Sequence, residues 1–358
     1  MAVHFHKLKI KSIKKETPDC VSINFDVPPE LSEYFTYREG QNITVRQVIN
    51  NEEIRRSYSI CSAPFENELK VAVKTLEGGL FSSYANTKLK AGDVLEVMPP
   101  TGNFSARIDA KTKHNLAIAA GSGITPVISI IKHTLATSPG STFTLIYGNR
   151  NRNSIIFFEE LEGLKNKYLE RFNFINILSR EITDIPVHHG RIDAEKLESL
   201  KPVVNYAEMD NIYICGPEAL IFNSKDYFEK IGIHKSKIHF ELFTVPGETV
   251  KEKLAVKTTE AGTGKTSKIA IRLDGRTFEF NLAENGESIL DAALQQGADL
   301  PYACKGGVCC SCRAKVIEGK VEMDVNYALE EDEVAAGFVL TCQSHPRTEK
   351  VVIDFDAR

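Results

Sequence analysis

The sequence predicts a multidomain chain with an antiparallel β-barrel or sandwich first, an α/β doubly wound parallel sheet second and a small cysteine-bearing module last. Three observations carry this. Short alternating runs separated by turn signals fill the chain to about residue 108, apolar strands alternate with helices over 115–243, and thiols gather between Cys304 and Cys342. A length of 358 residues accommodates such a series.

The first region is built from runs such as 43–48 and 69–74, whose period-2 alternation and regular spacing are those of a closed antiparallel barrel or sandwich. Within it, Arg55-Arg56-Ser57-Tyr58-Ser59-Ile60 offers a cation for a phosphate, an aromatic face for a planar ring and a hydroxyl for a ring nitrogen. Further on, Gly78-Gly79-Leu80-Phe81-Ser82-Ser83 can open a helix whose free N–H groups bind a pyrophosphate. Each motif alone also fits an ordinary strand or turn.

From Asn115 the texture changes. Leu116-Ala-Ile-Ala-Ala runs into Gly121-Ser122-Gly123-Ile-Thr125-Pro126 and then a helical pattern with apolar Val127, Ile128, Ile130, Ile131 and Leu135. Strand, glycine turn and helix make a βα unit that rests a pyrophosphate on the helix N-terminus, with Pro126 expected at the first helical position. Strands are expected at 143–147, 172–178, 211–215 and 237–243, and helices at 155–168 and 218–231. The turn at 121–126, Tyr147-Gly-Asn149-Arg150 and Cys215-Gly216-Pro217 all fall at carboxyl ends of strands, where such sheets bind ligands.

Residues 246–267 are polar, without periodicity, and read as a linker. Their Gly262-Thr-Gly-Lys-Thr266 is not a nucleotide loop, because Thr259 stands where a P-loop needs its first glycine. A hairpin turning at Asp274-Gly275 follows, then a short helix over 288–296 with Ser288 and Asp291 at capping-box spacing, and strands at 313–317 and 351–355.

Cys304, Cys309 and Cys312 stand at C-x4-C-x2-C, and Cys342 follows thirty positions later. This is the ligand spacing of a plant-type [2Fe-2S] cluster. Gly306 and Gly307 suit a loop whose backbone must take positive φ and approach sulfur. Zinc sites more often use paired C-x2-C knuckles, and a disulfide framework fits poorly with a chain lacking a secretory pattern. Cys310 reads as a bystander pointing away.

The formal net charge of −4 and the absence of a basic run argue against nucleic acid as partner. No apolar run reaches membrane-spanning length, so a cytoplasmic protein with reduced thiols is expected, with no membrane contact. From residue 268 onward, 10 Lys and Arg stand against 16 Asp and Glu, leaving +2 on the remainder. That asymmetry is an argument about docking.

In this order the motifs resemble the ferredoxin-NADP reductase superfamily, and the three modules together resemble its oxygenase reductases with a C-terminal plant-type ferredoxin domain of β-grasp fold. The resemblance implies an FAD-binding β-barrel over 1–109, an NAD(P)H-binding α/β domain over 110–245 and a [2Fe-2S] domain over 268–358. It implies FAD with Arg56 and Ser82 toward the phosphates, Tyr58 and Ser59 at the isoalloxazine, and Ser57, Val73, Gly78, Gly79 and Phe81 completing the site. For the nicotinamide coenzyme it implies Gly121, Ser122, Gly123, Thr125, Pro126, Asn149, Arg150, Gly216 and Pro217 along the dinucleotide. Cys215 would lie near the nicotinamide, and Phe243 would end the last strand as an aromatic over the flavin. Leu220 replaces a methionine frequent in that motif. Ser179 and Arg180 look like the superfamily's 2′-phosphate grip, which favours NADPH over NADH. The acceptor implied is a separate diiron oxygenase. A redox sensor using the cluster as a switch and a zinc-stapled binding protein are the rival readings, and neither accounts for both dinucleotide-type loops and the flavin strand.

Overall fold

The computed structural model describes residues 4–105, 112–244 and 265–357. Most of the expected linker lies outside these residues.

The first domain is a six-stranded antiparallel sheet in the order β4-β3-β6-β1-β2-β5, formed by β1 (His6–Thr17), β2 (Cys20–Asp26), β3 (Asn42–Ile49), β4 (Glu52–Ser59), β5 (Leu69–Lys74) and β6 (Val94–Val97). A bridge between Ile60 and Val71 brings its two edges together, so the sheet curls into a barrel. Alternation drives the closure: Ile43, Val45, Ile54, Val71 and Val73 turn inward and share one core with Leu8 and Phe81. Helix α1 (Leu80–Thr87) covers the barrel beside β5, following the left-handed turn at Gly78.

The second domain is a five-stranded parallel sheet in the order β11-β10-β7-β8-β9, from β7 (His114–Ala120), β8 (Thr142–Asn149), β9 (Phe172–Leu178), β10 (Asn211–Cys215) and β11 (Ile238–Glu241). Helices α2 (Ile124–Thr137) and α3 (Phe158–Lys167) bury one face, and α4 (Ala194–Leu200) and α5 (Glu218–Lys230) the other. Strand order reverses between β7 and β10, and ligands bind in the crevice outside such a reversal. Several boundaries move. A 3-10 turn over Gly121–Gly123 precedes α2, so Pro126 is the third helical residue, still within the turn whose N–H groups lack partners. Helix α3 starts at Phe158 because Phe157 takes φ of 62°, which interrupts the run expected from 155. Strand β11 stops at Glu241, so Phe243 does not end it.

The third domain is a mixed sheet in the order β13-β12-β18-β14-β16, from β12 (Thr266–Leu273), β13 (Arg276–Ala283), β14 (Arg313–Glu318), β16 (Phe338–Leu340) and β18 (Lys350–Asp354), with a small pair of β15 (Val321–Met323) and β17 (Ser344–Pro346). Thr266 and Ser267 thus belong to β12 rather than to the linker. The hairpin turns on Asp274 and Gly275, at φ of 54° and 68°, as a two-residue turn of this twist requires. Helix α6 (Ile289–Gln295) is capped by Ser288, whose Oγ accepts from the N–H of Asp291 at 3.2 Å, and stops before Gly297 at φ of 86°. Helix α7 (Glu331–Ala335) completes the domain. Among the described residues no helix is long and apolar enough to cross a membrane.

Candidate electron-transfer site

The cysteine loop joins α6 to β14. Cys304 and Cys309 lie 3.1 Å apart through their sulfurs, and the Gln343 amide, 3.5 Å from the Cys342 sulfur, also donates to the Lys305 carbonyl at 3.0 Å. One side chain thus ties the loop to the distant fourth thiol. The Gly306 N–H points at the Cys304 sulfur at 3.3 Å, an arrangement that favours a thiolate. Of the two glycines only Gly307 takes positive φ, at 73°; the other left-handed residue is Lys305, at 54°. A Cβ on Gly307 would come within 3.0 Å of Val325. Cys310 turns away, its thiol 3.3 Å from the Ala328 carbonyl in the domain core. Among the described residues no three His, Cys, Asp or Glu side chains are grouped to hold a metal ion as they stand. The thiols and the N–H donor fit a cluster that thiolates from one loop and one distant segment would share.

On β4, Tyr58 packs on Phe81 at 5.5 Å, while Arg56 is exposed with its guanidinium on the Arg55 carbonyl at 2.7 Å. Phe81 and Val73 are core residues, so only their backbones can reach a ligand. The Ser82 hydroxyl closes its own turn, donating to the Gly79 carbonyl at 3.2 Å and accepting from the Leu76 N–H at 3.1 Å. A Cβ on Gly79 would come within 2.5 Å of that hydroxyl. The start of α1 therefore presents N–H groups rather than the Ser82 side chain to an anion.

At the strand reversal of the parallel sheet, the turn after β7 packs so closely on the end of β10 that a Cβ on Gly123 would collide with the Cys215 carbonyl. The carbonyl of Gly121 accepts from the Tyr147 hydroxyl at 2.8 Å, and Ser122 accepts from the Thr125 hydroxyl at 3.0 Å. Gly216 faces Leu220, and Pro217 leads into α5. The Asn149 amide is buried with neither nitrogen nor oxygen partnered, a polar group that a ligand would satisfy. Beside it the Arg180 N–H donates to the Arg150 carbonyl at 2.8 Å and the Ser179 N–H to that of Asn149 at 2.9 Å. This brings two exposed arginines together past the ends of β8 and β9. Cys215 is fully buried, and burial pushes its thiol well up, so it is neutral.

The sequence reading missed Glu241. It ends β11, and its Oε2 accepts from the Ser59 hydroxyl at 2.8 Å, joining the nucleotide sheet to the flavin strand. Desolvation raises its carboxyl to about 7. A carboxylate ending the short strand Ile238-His-Phe-Glu241 was the available signal. Lys74, 3.6 Å from Asp19, reaches the turn at Gly121–Gly123, its ammonium 3.8 Å from where a Cβ on Gly121 would lie. Phe243 is 40% exposed beyond the strand end.

The three domains correspond to three family models: an oxidoreductase FAD-binding domain over residues 7–106, an oxidoreductase NAD-binding domain over 117–226 and a 2Fe-2S iron-sulfur cluster binding domain over 271–347. The chain is 47% identical to one of the subunits of 1,2-phenylacetyl-CoA epoxidase from Escherichia coli, covering 99% of this chain and 98% of that one. It is 33% identical to the ferredoxin reductase component of 3-ketosteroid-9-alpha-monooxygenase from Rhodococcus rhodochrous, over 97% and 96% of the two chains. Phthalate dioxygenase reductase shares the fold at a TM-score of 0.60 and 24% identity, covering 98% of both chains. The finer likeness of 301–309 and 323–330 is to the reductase subunit of phenylacetyl-CoA epoxidase, which agrees with the first of these relatives. With its thiol loop, flavin-type strand and dinucleotide crevice in one chain, the protein belongs to the family of pyridine-nucleotide-dependent flavin and [2Fe-2S] reductase components of oxygenases.

Proposed function

We propose that the chain is the cytoplasmic NADPH-dependent reductase of a diiron oxygenase, that of phenylacetyl-CoA epoxidation in phenylacetate degradation, passing electrons from NADPH through FAD and a [2Fe-2S] cluster to the oxygenase. The identity of 47% along the whole chain supports this acceptor. When bound, FAD takes two electrons together as hydride and releases them singly to a one-electron cluster. The observation that carries the reading is the position of β4, which touches the nucleotide sheet through Ser59 and Glu241 at 2.8 Å and the cysteine loop through Ser57 and Ser311 at 3.3 Å.

The chain's own residues divide the work. Arg56, Tyr58, Ser59, the backbone of Ser57 and the start of α1 hold and orient FAD, and the turn at Gly121–Gly123 with Asn149 holds the dinucleotide. Arg150 and Arg180 attract the additional negative charge of a 2′-phosphate, which favours NADPH. Neutral Cys215 excludes water without placing a competing charge beside the nicotinamide. Glu241 can hold or release a proton at Oε2, next to the Ser59 hydroxyl. Cys304, Cys309, Cys312 and Cys342 supply the four thiolates of the cluster.

In Cys304→Ser, cluster and cytochrome c reduction should be lost while NADPH still reduces the flavin; one-electron transfer at the wild-type rate would refute the carrier order. Arg180→Ala should raise the KM for NADPH at least tenfold more than that for NADH. Equal losses would remove the 2′-phosphate role.

A further inference from the structure

Strand β4 alternates its side chains between two tasks. Ile54 and Tyr58 belong to the barrel side. Arg55, Ser57 and Ser59 share the other face with Arg46, Thr44 and Asn42, their register partners on β3. The ferredoxin domain covers the part of that second face formed by Thr44, Ser57 and Arg55, while Ser59 meets Glu241 of the nucleotide sheet. Thr44 Oγ1 lies 2.8 Å from Ser311 Oγ, and Ser57 Oγ lies 3.0 Å from Thr44 and 3.3 Å from Ser311. Arg55 donates to the Leu300 carbonyl at 3.1 Å, and its guanidinium stands 4.2 Å over the Tyr302 ring. Thr44 is 1% exposed, Ser311 3% and Arg55 7%, so the contact excludes water and the hydroxyls must satisfy one another. Arg55 also meets Asp299 at 3.4 Å, whereas the separate cross-domain pair of Lys235 with Glu331 is exposed on both sides and holds little.

These contacts grip both ends of the cysteine loop. Leu300 precedes Cys304 by four positions, and Ser311 stands between Cys310 and Cys312 with the Cys309 sulfur 3.5 Å from its hydroxyl oxygen. We propose that Thr44, Ser57 and Ser311, with Arg55, form a latch that seats the cysteine loop on the flavin strand and sets the gap an electron crosses from flavin to cluster. The inference rests on the order NADPH, FAD, cluster. In that step one electron leaves the reduced flavin and one Fe(III) becomes Fe(II), with no bond made or broken. The hydroxyls remain intact and act as positioning residues.

The test uses full-chain holoprotein carrying Thr44→Val together with Ser311→Ala, each single variant, and Thr44→Ser as the conservative change. Under anaerobic stopped flow with NADPH, flavin bleaching reports hydride transfer and the cluster absorbance reports the second step. Cluster reduction in the double variant should slow at least tenfold, with flavin bleaching and iron content within twofold of wild type. Thr44→Ser should restore the rate. Hydrogen–deuterium exchange should quicken in peptides covering 42–49 and 305–313, a measure of the contact independent of turnover. Wild-type cluster reduction or unchanged exchange in the double variant overturns the latch. If that variant loses iron, Thr44→Val, which alters only the flavin side, decides by the same two readouts. A wild-type cluster that NADPH never reduces, despite bleached flavin, overturns the carrier order and the latch with it.

Discussion

Glu241→Gln isolates the cost of desolvating a part-buried carboxyl between the nucleotide sheet and the flavin strand. Glutamine keeps an oxygen to accept from the Ser59 hydroxyl, which now meets Glu241 at 2.8 Å, and replaces the ionisable oxygen by an amide nitrogen that does not titrate. The carboxyl titrates near 7 in the fold against an ordinary 4.5, because desolvation disfavours its charged form. At roughly 1.4 kcal/mol for each tenfold change in proton affinity, this is about 3 kcal/mol. Below pH 4.5 the group is protonated both folded and unfolded, and ionisation costs nothing. As pH rises from 4.5 to 7 the unfolded chain ionises first, so folding loses stability, and above 7 the penalty is complete. The variant should therefore match wild type at about pH 4 and exceed it by about 3 kcal/mol at about pH 8. Denaturant unfolding of the full chain at both values measures this. A stability difference that is the same at both would refute a desolvated, titrating Glu241.

Two further outcomes follow from burial. Lys132→Met would strand Glu66 of the barrel domain and Glu160 of α3, which now both meet the ammonium on α2 at 2.8 Å. With both carboxylates partly solvated, the loss should be about 2–3 kcal/mol, read as a lower unfolding midpoint at neutral pH; a change below about 0.5 kcal/mol would refute the buried pin. Cys310→Ala should leave iron content and the visible spectrum of the cluster intact, because its thiol bonds to the Ala328 carbonyl at 3.3 Å and burial keeps it protonated. Loss of half the iron would show that it serves as a ligand.

Much of the fold was legible where the signal is local. The strands over 172–178 and 211–215 coincide with β9 and β10, because each is a short apolar run bounded by polar turns. The hairpin at Asp274-Gly275 and the Ser288 cap were readable because turn and cap chemistry are set by adjacent residues. Helix α4 was missed: in seven residues it buries only Leu197 and Leu200, too few to show a period. The true start of α3 was hidden because nothing in the sequence marks Phe157 for positive φ.

The sequence by itself determined the cysteine loop, the glycine turn after β7 and the alternation of β4, since each depends on residue type at short spacing. Only the tertiary structure decided what those pieces face. Ser59 and Glu241 are 182 positions apart, and Thr44 and Ser311 are 267 apart. Period-2 alternation shows that Arg55 and Ser57 share a face of the strand, but not whether that face meets water or another domain. The answer comes from docking, where buried hydroxyls and one buried guanidinium must find partners that no local pattern encodes.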